Sequence, residues 1–123
     1  MFEVEEQSAP AGQAAELEDD ALHCVRCGHL VTRGRWAFAP DGGHERLCAN
    51  PAGRLFKVVS FTEAPGAVDQ GPPTEEFSWF KGYVWNFALC RGCSEHLGWR
   101  YTADAKPPLF WGLIKDRLTS QPK

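Results

Sequence analysis

No stretch of this chain is apolar for long enough to span a membrane. Its start lacks the basic residues and the apolar run of a secretory signal, which points to the cytoplasm. Charge of one sign is scarce as well. Thirteen Lys and Arg against 16 Asp and Glu leave a formal net charge of -3, too little for a global field that would favour nucleic acid or anionic lipid. Neither nucleic acid nor a membrane is therefore an expected partner. The β–α–β alternation of a parallel α/β sheet is missing too. At 123 residues the chain is long enough for one real core but not for two.

Lys and Arg are absent from the first 20 positions, where seven acids fall: Glu3, Glu5, Glu6, Glu16, Glu18, Asp19 and Asp20. No aromatic follows Phe2 there and no apolar face repeats, so residues 1–20 read as a disordered acidic leader. The remainder holds nine acids against thirteen bases, a formal +4. Four thiolates around one divalent ion would lower that by two units, leaving an unremarkable charge.

Among what is present, the cysteines carry the clearest pattern. Four of the five form two Cys-x-x-Cys pairs, Cys24 with Cys27 and Cys90 with Cys93. Each spacing suits a turn that aims two thiolates at one ion, and two such knuckles complete a tetrahedral zinc site. A four-cysteine iron site uses the same spacing. A redox pair would need a strand–helix context, and no helical period follows either pair. Four thiolates leave no open coordination position, so such a metal is structural. Gly28 and Gly92 sit where backbone must fold around thiolates. Cys48 has no partner in sequence and reads as a small buried hydrophobe. His23 and His29 flank the first knuckle and read as surface residues, with a supporting position behind the metal as the alternative.

Nine prolines and twelve glycines argue for turns and short strands. Residues 29–40 read as two short strands around Gly34. Residues 54–61 alternate Leu55, Lys57, Val59 and Phe61 against Phe56, Val58 and Ser60, a strand. Residues 62–76, rich in Pro and Gly, read as a long loop. Residues 83–90 alternate and run straight into Cys90, and residues 97–103 leave Cys93 in the same way, so the two form an antiparallel hairpin tipped by the second knuckle. Residues 110–118 fit a strand or a short helix, and Gly112 disfavours helix. The class is mainly β: a small antiparallel domain stapled by metal.

Trp79, Phe80, Tyr83, Trp85 and Phe87 crowd the segment leading to Cys90. An aromatic cluster is ordinarily core. Indole, however, carries a donor that needs a partner when buried, and five tryptophans exceed what so small a centre needs. Trp85 lies five residues before Cys90 and Trp99 six after Cys93, near the same level across the hairpin. Trp79 can swing in through Gly82, with Tyr101 further along the same face. An aromatic box suits a quaternary cation if an acid is near and a neutral ring if none is. Glu75 and Glu76 stand just before the cluster, so residue types alone do not choose.

The run Ser78, Trp79, Phe80, Gly82, Tyr83, Trp85, Cys90, Cys93, His96, Gly98, Trp99 and Tyr101, with Asn50-Pro51-x-Gly53 upstream and residues 110–113 downstream, resembles the thalidomide-binding (CULT) domain of the cereblon family. The match covers roughly residues 21–118, with 119–123 as a tail. The resemblance implies two antiparallel sheets set steeply against each other, a β-tent, pinned by zinc at Cys24, Cys27, Cys90 and Cys93. It implies that Trp79, Trp85 and Trp99 wall a cage and that Tyr101 is its floor. The ligands implied are cyclic imides: the glutarimide of thalidomide and its analogues, uridine-like rings, and protein ends bearing a cyclized Gln or Asn. The Phe77 carbonyl and the Trp79 amide, beside Ser78, would bind the imide, and the loop at Asn50 and Pro51 would close over it. The human member has His where Phe77 stands here, which leaves a backbone contact intact. Larger relatives carry an amino-terminal domain that docks onto a ubiquitin-ligase adaptor. Only 23 residues precede Cys24, so that domain and that adaptor are not expected, and the chain looks like a stand-alone member of bacterial type.

The expected function is thus binding without catalysis. Two other readings use the same residues. In the first, a methionine-sulfoxide-reductase-like enzyme uses Cys48. In the second, the cage reads methylated ammonium groups.

Overall fold

The computed structural model of the chain describes residues 20–40 and 43–122; the acidic leader read above over residues 1–20 lies outside the described residues except for Asp20. Among them nine strands form: β1 Ala21–Cys24, β2 Leu30–Arg33, β3 Glu45–Ala49, β4 Leu55–Phe61, β5 Ala67–Thr74, β6 Val84–Cys90, β7 His96–Thr102, β8 Leu109–Ile114 and β9 Leu118–Thr119. Every pairing between them is antiparallel. A three-stranded sheet runs β9-β1-β2 and a six-stranded sheet runs β3-β4-β8-β7-β6-β5. The mainly-β, two-sheet class read from the sequence is the class observed.

Two local readings need correction. The Pro- and Gly-rich segment 62–76 is not a loop, because residues 67–74 form β5 and pair with β6. β5 is an edge strand, and an edge tolerates prolines since one row of its backbone groups has no sheet partner to satisfy. Its register breaks between Gln70 and Thr74, where Pro72 and Pro73 fall. The second half of 29–40 is not a strand either. The chain leaves β2 through a 3-10 turn at Gly34–Trp36. It then meets β4 through the Ala37–Phe61 bridge and the bond from Phe38 N–H to the Ser60 carbonyl.

Residues near both ends of the described part are tied down. Asp20 receives Arg35 at 2.8 Å and Arg33 at 3.3 Å, and the Arg35 bond holds its carboxyl at about 2. Thr119 pairs with His23 in the smaller sheet.

Strand alternation gives the six-stranded sheet two different faces. On one, Val59, Phe61, Ala88 and Leu113 pack with Cys24 and Val31 of the smaller sheet. On the other, Cys48, Val58, Tyr101, Phe110 and Ile114 pack under Phe80. Phe80 is the anchor of the segment between β5 and β6. Its ring meets Tyr101 and Phe110 edge-on at 4.7 and 5.0 Å, with the Arg46 guanidinium 4.7 Å above it. Fully burying one such side chain contributes about 1.5–3 kcal/mol.

Gly112 on β8 sits opposite Trp99 and below Tyr101. A Cβ there would lie 2.9 Å from the Tyr101 ring and 3.1 Å from Val58 Cγ1. The missing side chain lets Tyr101 lie flat on Phe110, stacked at 5.0 Å and 17°. Gly112→Ala is expected to overpack this site and lower stability by about 1–3 kcal/mol in urea unfolding. An unchanged midpoint would show that the ring relaxes freely.

Candidate functional site

Both knuckles are the same turn. Cys24 N–H donates to the His29 carbonyl and Gly28 N–H to Cys24; likewise Cys90 N–H donates to Glu95 and Ser94 N–H to Cys90. The residue four after the first cysteine takes a left-handed backbone in each, Gly28 at φ 80° and Ser94 at φ 66°. Gly92, singled out in the sequence, serves a different need. A Cβ on it would stand 2.9 Å from His29 Cβ and 3.0 Å from Cys27 Sγ, so glycine is there for close approach. The His23 ring braces the first knuckle through its 3.0 Å hydrogen bond with the Gly28 carbonyl.

The four sulfurs meet. Cys24 Sγ lies 3.7 Å from Cys93 Sγ and Cys27 Sγ 3.6 Å from Cys90 Sγ, and all four lie within 4.8 Å of one another. These separations far exceed an S–S bond. A tetrahedron of thiolates about 2.3 Å from a central ion has edges near 3.8 Å, so the donor set fits a four-coordinate metal. Burial pushes the Cys90 thiol up to about 12, which leaves it inert as a free thiol.

The aromatic residues form a separate cavity of about 240 Å³ lined by Pro51, Phe77, Trp79, Trp85, Trp99 and Tyr101. Two indoles are fixed by their own donors. Trp79 Nε1 donates to the Ala49 carbonyl at 2.8 Å and Trp85 Nε1 to the Glu76 carbonyl at 2.7 Å. Trp99 is held by packing, edge-on to Trp79 at 4.7 Å, to Phe56 at 5.4 Å and to His96 at 5.1 Å. Burial lowers the His96 pKa, which favours a neutral ring behind Trp99. Tyr101 is buried beneath the cavity, and burial pushes its hydroxyl pKa up.

The hairpin register differs from the equal level expected for the two tryptophans. Trp85 pairs with Tyr101 and Trp99 with Phe87, so the indoles are diagonal neighbours on one face. An irregularity beyond Ala88, where Gly98 faces Ala88 but His96 faces Leu89, adds one residue to the offset and so brings both indoles to the same face. Leu97, the extra residue, enters the core.

Asn50 and Ser78 lie beside the cavity without lining it. Asn50 Oδ1 accepts from Arg54 N–H, and its carbonyl accepts from Gly53 N–H. These bonds make a tight turn between β3 and β4 that presents Pro51. Ser78 Oγ donates to the Phe80 carbonyl at 3.1 Å, fixing the backbone on either side of Trp79. Phe77 is 69% exposed and holds φ at 56°, a strained conformation for a bulky residue. Among the described residues neither its carbonyl nor the Trp79 N–H has a hydrogen-bond partner. Phe56, which backs Trp79 and Trp99, was not singled out in the sequence; its place opposite Leu55 in the alternation of β4 was the available signal.

Glu75 and Glu76 are exposed and do not line the cavity. Cys48 is buried beneath it beside Tyr101, and burial raises its thiol pKa. No helix among the described residues is long and apolar enough to cross a membrane.

No family model matches the chain. Among curated proteins it is similar to the protein cereblon of Gallus gallus, 40% identical over 103 residues, 80% of this chain and 23% of that protein. Its similarity to the protein cereblon of Drosophila willistoni is 50% over 107 residues, 79% of this chain and 17% of that one. For Drosophila virilis the figures are 44% over 103 residues, 78% and 16%. The chain therefore spans less than a quarter of the length of the curated relatives it matches. At that identity, sustained over nearly four-fifths of its own length, the chain carries a cereblon-like domain.

Proposed function

We propose that this domain is a binding module that holds a cyclic imide, free or at the end of a peptide, between Trp79, Trp85 and Trp99, over Tyr101. The observation that carries the reading is the pairing of an all-aromatic and proline lining with one acceptor and one donor that are unpaired among the described residues, the Phe77 carbonyl and the Trp79 N–H. A ring imide offers the complementary N–H and C=O together on a flat apolar body. Glutarimide, thalidomide and uridine share that edge. No acid lines the box, which favours a neutral ring over a methylated ammonium group. The buried Cys48 thiol, its pKa raised, is a poor nucleophile for sulfoxide reduction, so binding without catalysis is the preferred reading.

We assign zinc to the four sulfurs as a structural ion held by Cys24, Cys27, Cys90 and Cys93. When bound, it would replace the thiol protons and lock the knuckles together. Four reduced thiols suit a reducing compartment, so the cytoplasm is the assigned location. The activities of the far longer relatives are not carried over, and no ubiquitin-ligase adaptor is assigned.

Titration with glutarimide or thalidomide should quench or shift tryptophan emission, and N-methylglutarimide, which lacks the imide donor, should bind much more weakly. Trp79→Ala should weaken binding about 30-fold or more, as expected for a central aromatic anchor, with metal content unchanged. A trimethyl-lysine peptide binding more tightly than glutarimide would overturn the reading.

The purified protein should hold one equivalent of zinc. Stripping it with a chelator should abolish the cooperative thermal transition, because buried thiols would face each other unbridged. Persistence of that transition in metal-free protein would count against a structural ion, and visible absorption from bound iron would change its identity.

A further inference from the structure

The cage uses one face of the six-stranded sheet. On the opposite face lies a cavity of about 500 Å³ whose charge is balanced, because Arg91 and Arg100 line it together with Glu63 and Asp69. Charge is not balanced in a groove of about 380 Å³ beside the segment that carries Trp79. Phe38, Pro40, Tyr83 and Pro107 wall that groove with the buried Phe80, and Lys81 and Lys106 stand on it. The protein itself holds the walls. Phe38 and Tyr83 each meet the Phe110 ring edge-on at 5.0 Å. Tyr83 Oη donates to the Pro107 carbonyl at 2.7 Å, which ties the loop of Lys106 to the segment of Lys81. Neither lysine has an ion pair or a side-chain hydrogen bond among the described residues. A third cation, the Arg46 guanidinium, lies 4.7 Å over the Phe80 ring. The acids nearest in sequence are Asp104, exposed and outside the lining, and Asp41, outside the described residues. An apolar groove with cations in excess is complementary to an anionic chain that carries an aromatic residue.

The protein's own sequence supplies such a chain. Residues 1–19 hold six acids, no Lys or Arg and one aromatic, Phe2, with Glu3, Glu5 and Glu6 in the next four positions. Their point of attachment is close to the groove. The Asp20 carbonyl accepts from Gly34 N–H, and the four residues from Gly34 to Phe38 span at most about 14 Å. Eighteen steps of chain lead from Phe2 to Asp20, a reach of up to about 60 Å. We propose that the groove is a docking surface for this amino-terminal segment, with the Phe2 ring between Phe38 and Tyr83 and the acids of residues 3–6 toward Lys81 and Lys106. Tethering supplies an effective concentration on the order of millimolar, an advantage that a separate acidic peptide lacks. The groove shares Phe80 with the segment that brings Trp79 to the cage, so docking braces that segment from outside the cage lining. The proposal does not depend on what the cage holds.

In nitrogen-15 correlation spectra of the full chain, Phe2→Ser should move the Lys81 and Lys106 amide signals and leave those of the two knuckles in place. Lys81→Glu combined with Lys106→Glu, both exposed positions, should move the Glu3, Glu5 and Glu6 signals in the direction that about 1 M salt moves them in the parent. Added to the Phe2→Ser protein, the free peptide of residues 1–6 should return the two lysine signals toward their parent positions, and the same peptide with Ser in place of Phe should not. The parent spectrum should survive about ten-fold dilution, as a contact within one chain requires. An unchanged thermal transition in each variant shows that the fold is kept. The proposal is overturned if Phe2→Ser leaves both lysine signals where they were, or if the charge reversal leaves the three glutamate signals unmoved. It is equally overturned if the Ser peptide acts as well as the Phe peptide, or if dilution releases the contact, which would assign it to a second copy of the chain.

Discussion

Four sulfurs hold this molecule's geometry. Cys24 closes β1 in the smaller sheet and Cys90 closes β6 in the larger one, and the close contacts run crosswise, Cys24 with Cys93 and Cys27 with Cys90. Because each contact joins one knuckle to the other, the tip of the β6–β7 hairpin cannot move relative to β1 without parting them. The hairpin carries Trp85 and Trp99 a few residues from that tip, so a constraint at the sulfurs becomes a constraint on the aromatic walls. None of the four cysteines lines the aromatic cavity; their meeting bears on it by setting where the strands begin.

A second constraint is the way the rings are held in place by the protein itself. Two of the three indoles have their N–H groups engaged by carbonyls on other segments, Ala49 and Glu76. Their polar edges are therefore satisfied and the cavity meets ring faces. Phe80, deep in the aromatic cluster, fixes the loop that brings Trp79 in. A pocket assembled in this way loses little side-chain freedom on binding, which is how a small apolar cavity gains affinity from few contacts. The cost is visible at Phe77, whose bulky side chain is exposed in a left-handed backbone at the cavity edge.

Much of this was legible in the sequence, for definable reasons. Cys-x-x-Cys spacing encodes a local turn, so both knuckles could be read. Period-two alternation in 54–61, 83–90 and 97–103 encodes sheet faces, so those strands could be read too. β5 is hidden in the sequence because proline breaks a strand pattern, and only its position at the sheet edge excuses Pro72 and Pro73. The same limit applied to Ser94, whose left-handed backbone no residue-type rule announces, while Gly92 drew notice for a conformation it does not supply. The side chains of Asn50 and Ser78 bond to neighbouring backbone and present Pro51 and Trp79, a placement that spacing alone does not announce. Arg100 could be assigned to a face by alternation, but its pairing with Asp69 depends on the register of three strands and the unread β5.

One irregularity reconciles the demands of the two ends of the hairpin. In a regular ladder every residue of β7 would keep strict alternation from the knuckle to the cage. The extra residue at Leu97 breaks it: Leu97 enters the core between the sheets, and His96 turns back against Trp99 and Phe87. Beyond that point Trp99 and Tyr101 face the cage while Arg100, between them, faces the opposite cavity. Were Leu97 instead paired in the ladder opposite Ala88, every later residue of β7 would move back one position, with Arg100 opposite Trp85 and Trp99 opposite Asn86. The guanidinium would then turn into the aromatic box and the indole toward the acid at Asp69. The hairpin needs the knuckle to fix its origin and the irregularity to fix its phase, and the contrasting chemistry of the two faces follows from both.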